Sequence, residues 1–349
     1  MTHIWVRSES RPHEERVGLT PQGAAELIAA GYQVTVEQST QRSLPIADYA
    51  AVGCTIAPEF SWVNAPDDAI IFGLKELPED GTPLRHKHIM FGHAYKGQPS
   101  GQILLDRFKA GGGTLYDLEY LTDEDGRRVA AFGYWAGYAG AAVALMCWLA
   151  QQNGKMAAPV KAYPSANHLL MELQEALMAL GTERPTALII GALGRVGTGA
   201  ADLCQAMGVA TTKWDMAETA SGGPFPQVLA HDIFLNCILA RPGTPVFVPA
   251  SAKKAQRTLS VIGDIACDPD SDFSPIKVYE RTTTWDAPAL RVHDAPVLDV
   301  TAIDNLPSML PAESSADFAE QLLPHLMTVS RIDQGVWARA KDWFVRATT

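Results

Sequence analysis

The sequence predicts an α/β chain built as two doubly wound domains with a cleft between them, and three observations carry that prediction. Short apolar runs alternate with amphipathic helical patterns in two separate series. A glycine-rich turn follows one such run and opens a helix. The chain has 349 residues, enough for two domains at roughly 100 to 200 residues each. It is 47% hydrophobic and 19% charged, so it can offset the ordering entropy that keeps polar chains unfolded.

The first series opens at residues 3–7, a short β pattern. Thr20-Pro21 reads as an N-cap followed by proline at the first helical position; Ala24, Leu27 and Ile28 make the apolar face, and Gly31 ends it. Residues 33–37 alternate as a strand. Residues 69–74 (AIIFGL) and 88–92 (HIMFG) are apolar runs bounded by turn residues, the form of parallel strands covered on both faces. Residues 114–120 and 128–132 flank the polar turn Asp123-Glu124-Asp125-Gly126, and a hairpin is expected there.

Residues 129–154 carry no charge and are long enough to span a bilayer. Gly133, Gly137 and Gly140, among Ala139, Ala141 and Ala142, instead supply a small-residue face for close packing, so a buried, domain-connecting helix is expected. Residues 155–164 read as a surface connection and 165–180 as a helix. The second strand series is expected at residues 186–190, 210–214, 232–238, 259–265 and 296–300. The tail, residues 313–327 and 331–347, reads as helices that pack back onto the first domain. The expected domains are therefore residues 1–132 plus 310–349, and residues 133–309.

Charge narrows the function. With 28 Lys+Arg against 39 Asp+Glu the net charge is −11, and no basic stripe compensates locally, so nucleic acid is not an expected ligand. Five scattered cysteines without a C-x-x-C suggest neither a disulfide framework nor a thiolate metal site. The first residues lack the apolar core of a secretory signal, and a cytoplasmic, non-membrane protein is expected.

Three constellations carry chemistry. The strand at residues 186–190 runs into Gly191, Gly194 and Gly197 at a helix start, where backbone N–H groups and the helix dipole can hold a pyrophosphate. The spacing is G-x-x-G-x-x-G, and the alternative is a tight turn whose glycines serve packing alone. Asp215, at the end of the next strand, stands where an acid would accept hydrogen bonds from a ribose diol and repel a 2′-phosphate. Lys75 and His93 follow two neighbouring apolar runs, whose carboxyl ends converge on one crevice in a parallel sheet. A lysine there becomes a useful base if burial or another cation lowers its pKa; a surface lysine and a core histidine are the plain alternatives. Arg16, Arg127 and Arg128 suit carboxylate binding, or simply face solvent.

On these residues the chain resembles the NAD-dependent, L-lysine-forming saccharopine dehydrogenases, relatives of the alanine dehydrogenases. Matching segments are residues 15–21 (ERVGLTP), 73–78 (GLKELP), 91–98 (FGHAYKGQ), 114–119 (TLYDLE), 126–134 (GRRVAAFGY), 189–197 (IIGALGRVG), 213–219 (KWDMAET), 221–225 (SGGPF) and 306–311 (LPSMLP). The resemblance implies that Lys75 and His93 form the acid–base pair, with Arg16, Gln98, Arg128 and Phe132 around the substrate and Glu76 and Glu119 tuning the pair. On the NAD side it implies Arg127, Gly194, Arg195, Asp215, Thr219, Ile265 and the segment 303–306 including Asp304. The chain departs from the family pattern at Val196, where fungal relatives carry a cysteine, at Leu239, where a tyrosine is expected, and at Ala266-Cys267-Asp268 in place of Ser-Ala-Asp.

The implied reaction is oxidation of saccharopine by NAD, then imine hydrolysis to L-lysine and 2-oxoglutarate, with no metal required. The expected partners are these small molecules, and the expected state is a monomer or small homo-oligomer. Another amino-acid or imino-acid dehydrogenase, such as one acting on alanine, or a non-catalytic NAD-binding sensor, stays open at this point.

Overall fold

The computed structural model describes residues 1–269 and 271–349. These form two compact units, Met1–Ala131 with Pro311–Thr349, and Phe132–Leu310.

In chain order the first unit contains β1 (His3–Val6), α1 (Pro21–Ala29), β2 (Gln33–Glu37), α2 (Ile46–Ala51), β3 (Thr55–Ala57), β4 (Ile70–Phe72), β5 (Lys87–Met90), α3 (Pro99–Gly111) and β6 (Thr114–Asp117). The strands form one six-stranded sheet in the order β3-β2-β1-β4-β5-β6, with every pairing parallel. Strand order reverses at the β1/β4 pair, and in open α/β sheets the carboxyl ends at such a point border the ligand crevice. α1 starts as its sequence requires: the Thr20 hydroxyl accepts the Gly23 N–H at 3.2 Å and Pro21 follows at the first helical position.

The expected hairpin reduces to a single antiparallel bridge between Thr122 and Arg128. Thr114–Asp117 is instead a parallel strand beside β5. Leu115 and Tyr116 are both buried, and two covered faces favour a parallel strand over a half-solvated hairpin arm.

The second unit contains α4 (Gly133–Gln152), α5 (Ala166–Leu180), β7 (Thr186–Ile190), α6 (Arg195–Ala206), β8 (Ala210–Trp214), α7 (Met216–Thr219), α8 (Pro226–Leu229), β9 (Ile233–Asn236), β10 (Val261–Asp264), β11 (Leu290–Asp294) and β12 (Val297–Thr301). Its six-stranded sheet runs β11-β12-β10-β9-β7-β8 and is parallel except for the antiparallel edge strand β11. The order reverses at β7/β9. Two further helices, α9 (Pro311–Leu326) and α10 (Gly335–Thr348), belong to the first unit. α10 covers β6, where the Tyr116 and Trp337 rings meet edge to face at 6.2 Å.

The uncharged stretch becomes α4, and its small residues serve backbone contact with α6. A Cβ on Gly137 would overlap the Val196 carbonyl, and one on Gly199 would overlap the Tyr134 carbonyl. No helix among the described residues is long and apolar enough to cross a membrane.

Candidate active site

The site in the first unit grows from the carboxyl ends of β1, β4, β5 and β6. The β1/β4 ladder closes with Arg7 N–H donating to the Phe72 carbonyl at 2.9 Å, and the β4/β5 side closes with Phe91 N–H donating to the Leu74 carbonyl at 2.9 Å. Lys75 and His93 are each one or two residues beyond that last bond, so the fold delivers both to one end of the sheet. Glu76 joins them: its Oε1 lies 3.3 Å from His93 Nε2, and its charge acts on Lys75.

Lys75 is half-buried. Burial above all, then the positive charges of Arg16 and Arg11, push its ammonium below the ordinary lysine value, against the opposing charges of Glu14 and Glu76. Behind it, Glu14 and Arg16 form a buried bidentate pair, with Arg16 Nε to Glu14 Oε1 at 2.8 Å and Nη2 to Oε2 at 2.6 Å. Burial pushes the Glu14 carboxyl up, but Arg16 and Lys75 outweigh it and hold it below its usual value. The Lys75 peptide is held from both sides: Glu9 accepts the N–H groups of Leu74 at 2.7 Å and Lys75 at 3.0 Å, and Arg7 Nη2 donates to the Lys75 carbonyl.

His93 has a left-handed backbone, φ 48°, uncommon for a residue with a Cβ. Its ring stacks on Phe91 and lies between two carboxylates, with Nδ1 3.4 Å from Glu119 Oε2. Contact with Glu119, then the charges of Glu76 and Asp117, raise its pKa despite the opposing effect of burial. Glu119 is held down at about 2, by His93 first and then by Lys96 at 2.8 Å and Arg128 at 3.7 Å. Beneath them Asp117 is fully buried, and burial lifts it to about 6. Its Oδ1 accepts the Glu119 N–H at 2.9 Å, while Oδ2 has no hydrogen-bond partner among the described residues. A cavity of about 320 Å³ opens beside His93, lined by Arg11, Glu76, Leu77, Ser100 and Ile103 among others.

Of the residues singled out from sequence, Lys75, Glu76, His93, Glu119, Arg16 and Arg128 come together in this one group. Gln98 is exposed at the start of α3, and no hydrogen bond among the described residues joins its side chain to the group. Arg127 is exposed in the turn before Arg128, and Phe132 is the first residue of the second unit, just before α4. Sequence reasoning overlooked Arg7, Glu9, Glu14, Lys96 and Asp117. Only Glu9 and Arg7 left a trace, as charges immediately after a buried strand.

In the second unit, β7 runs into Gly191, whose φ of 88° turns the chain, and Gly194 caps α6. No side-chain cap hydrogen bond closes its N-terminus among the described residues. A Cβ on Gly197 would overlap the Gly191 carbonyl, whereas one on Gly194 would meet only the Gly191 oxygen, at 3.5 Å. The turn is therefore tight on its inner side and open at the helix N-terminus, which fits a dinucleotide pyrophosphate. Asp215, at the end of β8, accepts from Leu193 N–H at 3.0 Å and Met216 N–H at 2.9 Å, so its carboxylate is already oriented on the glycine turn. Thr219 donates back to the Asp215 carbonyl at 2.9 Å. Arg195 is exposed at the first turn of α6, and Asp304 is exposed in the segment after β12. Ile265 is buried and packs against Gly140, where a Cβ would approach it to 2.6 Å.

A parallel sheet with Lys75 and His93 at its carboxyl ends, followed in the chain by a second, mostly parallel sheet with a glycine-rich turn at a helix start, is a two-unit doubly wound α/β architecture. Residues 5–139 match the alanine dehydrogenase/PNT N-terminal domain family. Among solved structures, an L-alanine dehydrogenase superposes with a TM-score of 0.70 at 19% identity, covering 99% of this chain and 94% of that one. Saccharopine dehydrogenase [NAD(+), L-lysine-forming] of Schizosaccharomyces pombe is 43% identical, with 98% of this chain and 97% of that protein aligned. The protein of the same name from Yarrowia lipolytica is 45% identical over 98% of this chain and 96% of its own length. The chain belongs to the NAD-dependent, L-lysine-forming saccharopine dehydrogenase family.

Proposed function

We propose that the chain oxidises saccharopine with NAD and hydrolyses the resulting imine to L-lysine and 2-oxoglutarate, reversibly. The observation that carries the chemistry is the pair at adjacent strand ends: a lysine whose amine is made less basic by burial and arginines, and a histidine bracketed by two carboxylates. Hydride leaves a carbon beside nitrogen only when that nitrogen is neutral. Lys75 accepts the proton of the secondary amine, and burial with the nearby arginines makes its neutral form more accessible than that of an exposed lysine. NAD, when bound, supplies the hydride acceptor. His93 then takes a proton from the water that attacks the imine carbon, gives that proton to the carbinolamine nitrogen, and, neutral again, takes the hydroxyl proton as the C–N bond breaks and the amine departs, leaving the ketone of 2-oxoglutarate.

Glu76 and Glu119 stabilise the imidazolium between these two steps. Arg128, exposed and 3.7 Å from Glu119, is placed to take a substrate carboxylate, and Arg16, two of whose nitrogens are engaged by Glu14, lines the same group. The cavity beside His93 has room for an amino-acid skeleton. For the cofactor, the turn at Gly191, Gly194 and Gly197 would hold the pyrophosphate, Asp215 the adenosine ribose, and Arg127, Arg195, Thr219, Ile265 and Asp304 the remaining contacts. NADH oxidation measured with lysine plus 2-oxoglutarate, and with each omitted in turn, tests the reading. Turnover should require both; turnover with pyruvate and ammonia alone would make it an alanine-type dehydrogenase.

A further inference from the structure

We propose that Glu9 and Arg7 are positioning residues for Lys75, which fix the direction of its amine by clamping its peptide on both sides. The clamp sits at the strand switch between β1 and β4. β1 and β4 share a ladder only as far as the Arg7 N–H to Phe72 carbonyl bond; the next amide, Gly73 N–H, still bonds the Ile89 carbonyl of β5 at 3.0 Å, but those of Leu74 and Lys75 turn to a side chain instead of a strand. Two successive N–H groups, Leu74 and Lys75, go to the two oxygens of Glu9 at 2.7 and 3.0 Å. On the other side of the same residue, the Lys75 carbonyl accepts from Arg7 Nη2.

The two clamping side chains are themselves joined, Arg7 Nη1 to Glu9 Oε2 at 3.1 Å, and both are buried. A cavity of about 10 Å³ beside Arg7, Glu9, Glu14 and Arg16 has room for no more than one water. Gly73 completes it: a Cβ there would overlap the Arg7 guanidinium, so the glycine of the GLKELP segment is required for the arginine to reach past it. A lysine amine sits at the end of a four-carbon stem with large rotamer freedom. Anchoring its peptide removes backbone motion from that freedom, where a misplacement of about 1 Å costs on the order of 10² in rate.

The inference rests on Lys75 being the group that takes the amine proton, and the test separates the two ideas. Glu9→Gln keeps one acceptor but turns an NH₂ group toward an N–H donor. In the full enzyme it should lower kcat by about 10- to 100-fold, while the NADH dissociation constant stays within about two-fold. In a Lys75→Ala background the same change should cost nothing further. Added methylamine, an untethered base, should restore Lys75→Ala and Glu9→Gln/Lys75→Ala equally. Equal losses from Glu9→Gln in both backgrounds, or unchanged kcat in Glu9→Gln, would overturn the positioning role. Wild-type turnover in Lys75→Ala would overturn the base assignment beneath it. If Glu9→Gln does not fold, Arg7→Lys, which retains the charge but shortens the reach to the Lys75 carbonyl, is run in the same two backgrounds with the same expected outcomes.

Discussion

Two carboxylates within 3.4 Å of opposite ring nitrogens hold the His93 imidazole and favour its protonated form. Glu119→Gln removes its largest support, so the His93 pKa falls. A base must be neutral to act; in the direction of saccharopine oxidation the rising limb of the kcat/KM–pH profile should therefore move to lower pH, and an upward move or no shift would contradict the pairing. Asp117 gives a stability prediction of definite sign. Its folded carboxyl titrates at about 6, above the ordinary aspartate value, so the folded state loses stability as pH rises through that interval and the loss is complete above about 6. Asp117→Asn should raise the melting temperature at pH 8 and change it far less at pH 4, as calorimetry at the two pH values would show. Lys75 and His93 were legible because each follows an apolar run at a strand's end. Their neighbours were not: Glu9 meets Lys75 across 66 positions of sequence, and a charged residue after a strand looks the same whether it clamps a peptide or faces water.

At the scale of elements, the backbone contact of α4 with α6 depends on glycine on both helices. Gly199→Ala should separate them and destabilise the fold by about 1–3 kcal/mol, the range for overpacking a close contact, read as a lower urea midpoint. An unchanged midpoint would mean that the two helices have slack. The long strands and helices were legible, since β2 coincides with its alternating segment, β7 with its apolar run and β8 with the expected residues 210–214, and α5 begins at its Ser165 cap. Short elements were not. β3 has three residues, too few for any periodicity, and the antiparallel edge strand β11 turns only Leu290 and Val292, both partly buried, toward the core, too short an alternation to mark it. The segment at residues 114–120 was misread because a polar turn downstream suggested a hairpin, whereas burial under α10 makes it the last parallel strand.

Across the whole molecule the proposed labour is divided: the first unit would carry the proton-transfer groups, Lys75 and His93, and the second the turn for the dinucleotide. The two-sheet architecture was legible in the two strand series, because each apolar run marks a covered parallel strand. The measurement that tests this division most directly is steady-state turnover of Lys75→Met and of His93→Gln, with NADH affinity determined by fluorescence on the same folded samples. The account predicts that kcat falls by on the order of 10² in each variant, while the NADH dissociation constant stays close to that of the unaltered protein. Near-normal kcat in either variant with saturating substrates, or a loss of NADH affinity large enough to explain the fall, would contradict it.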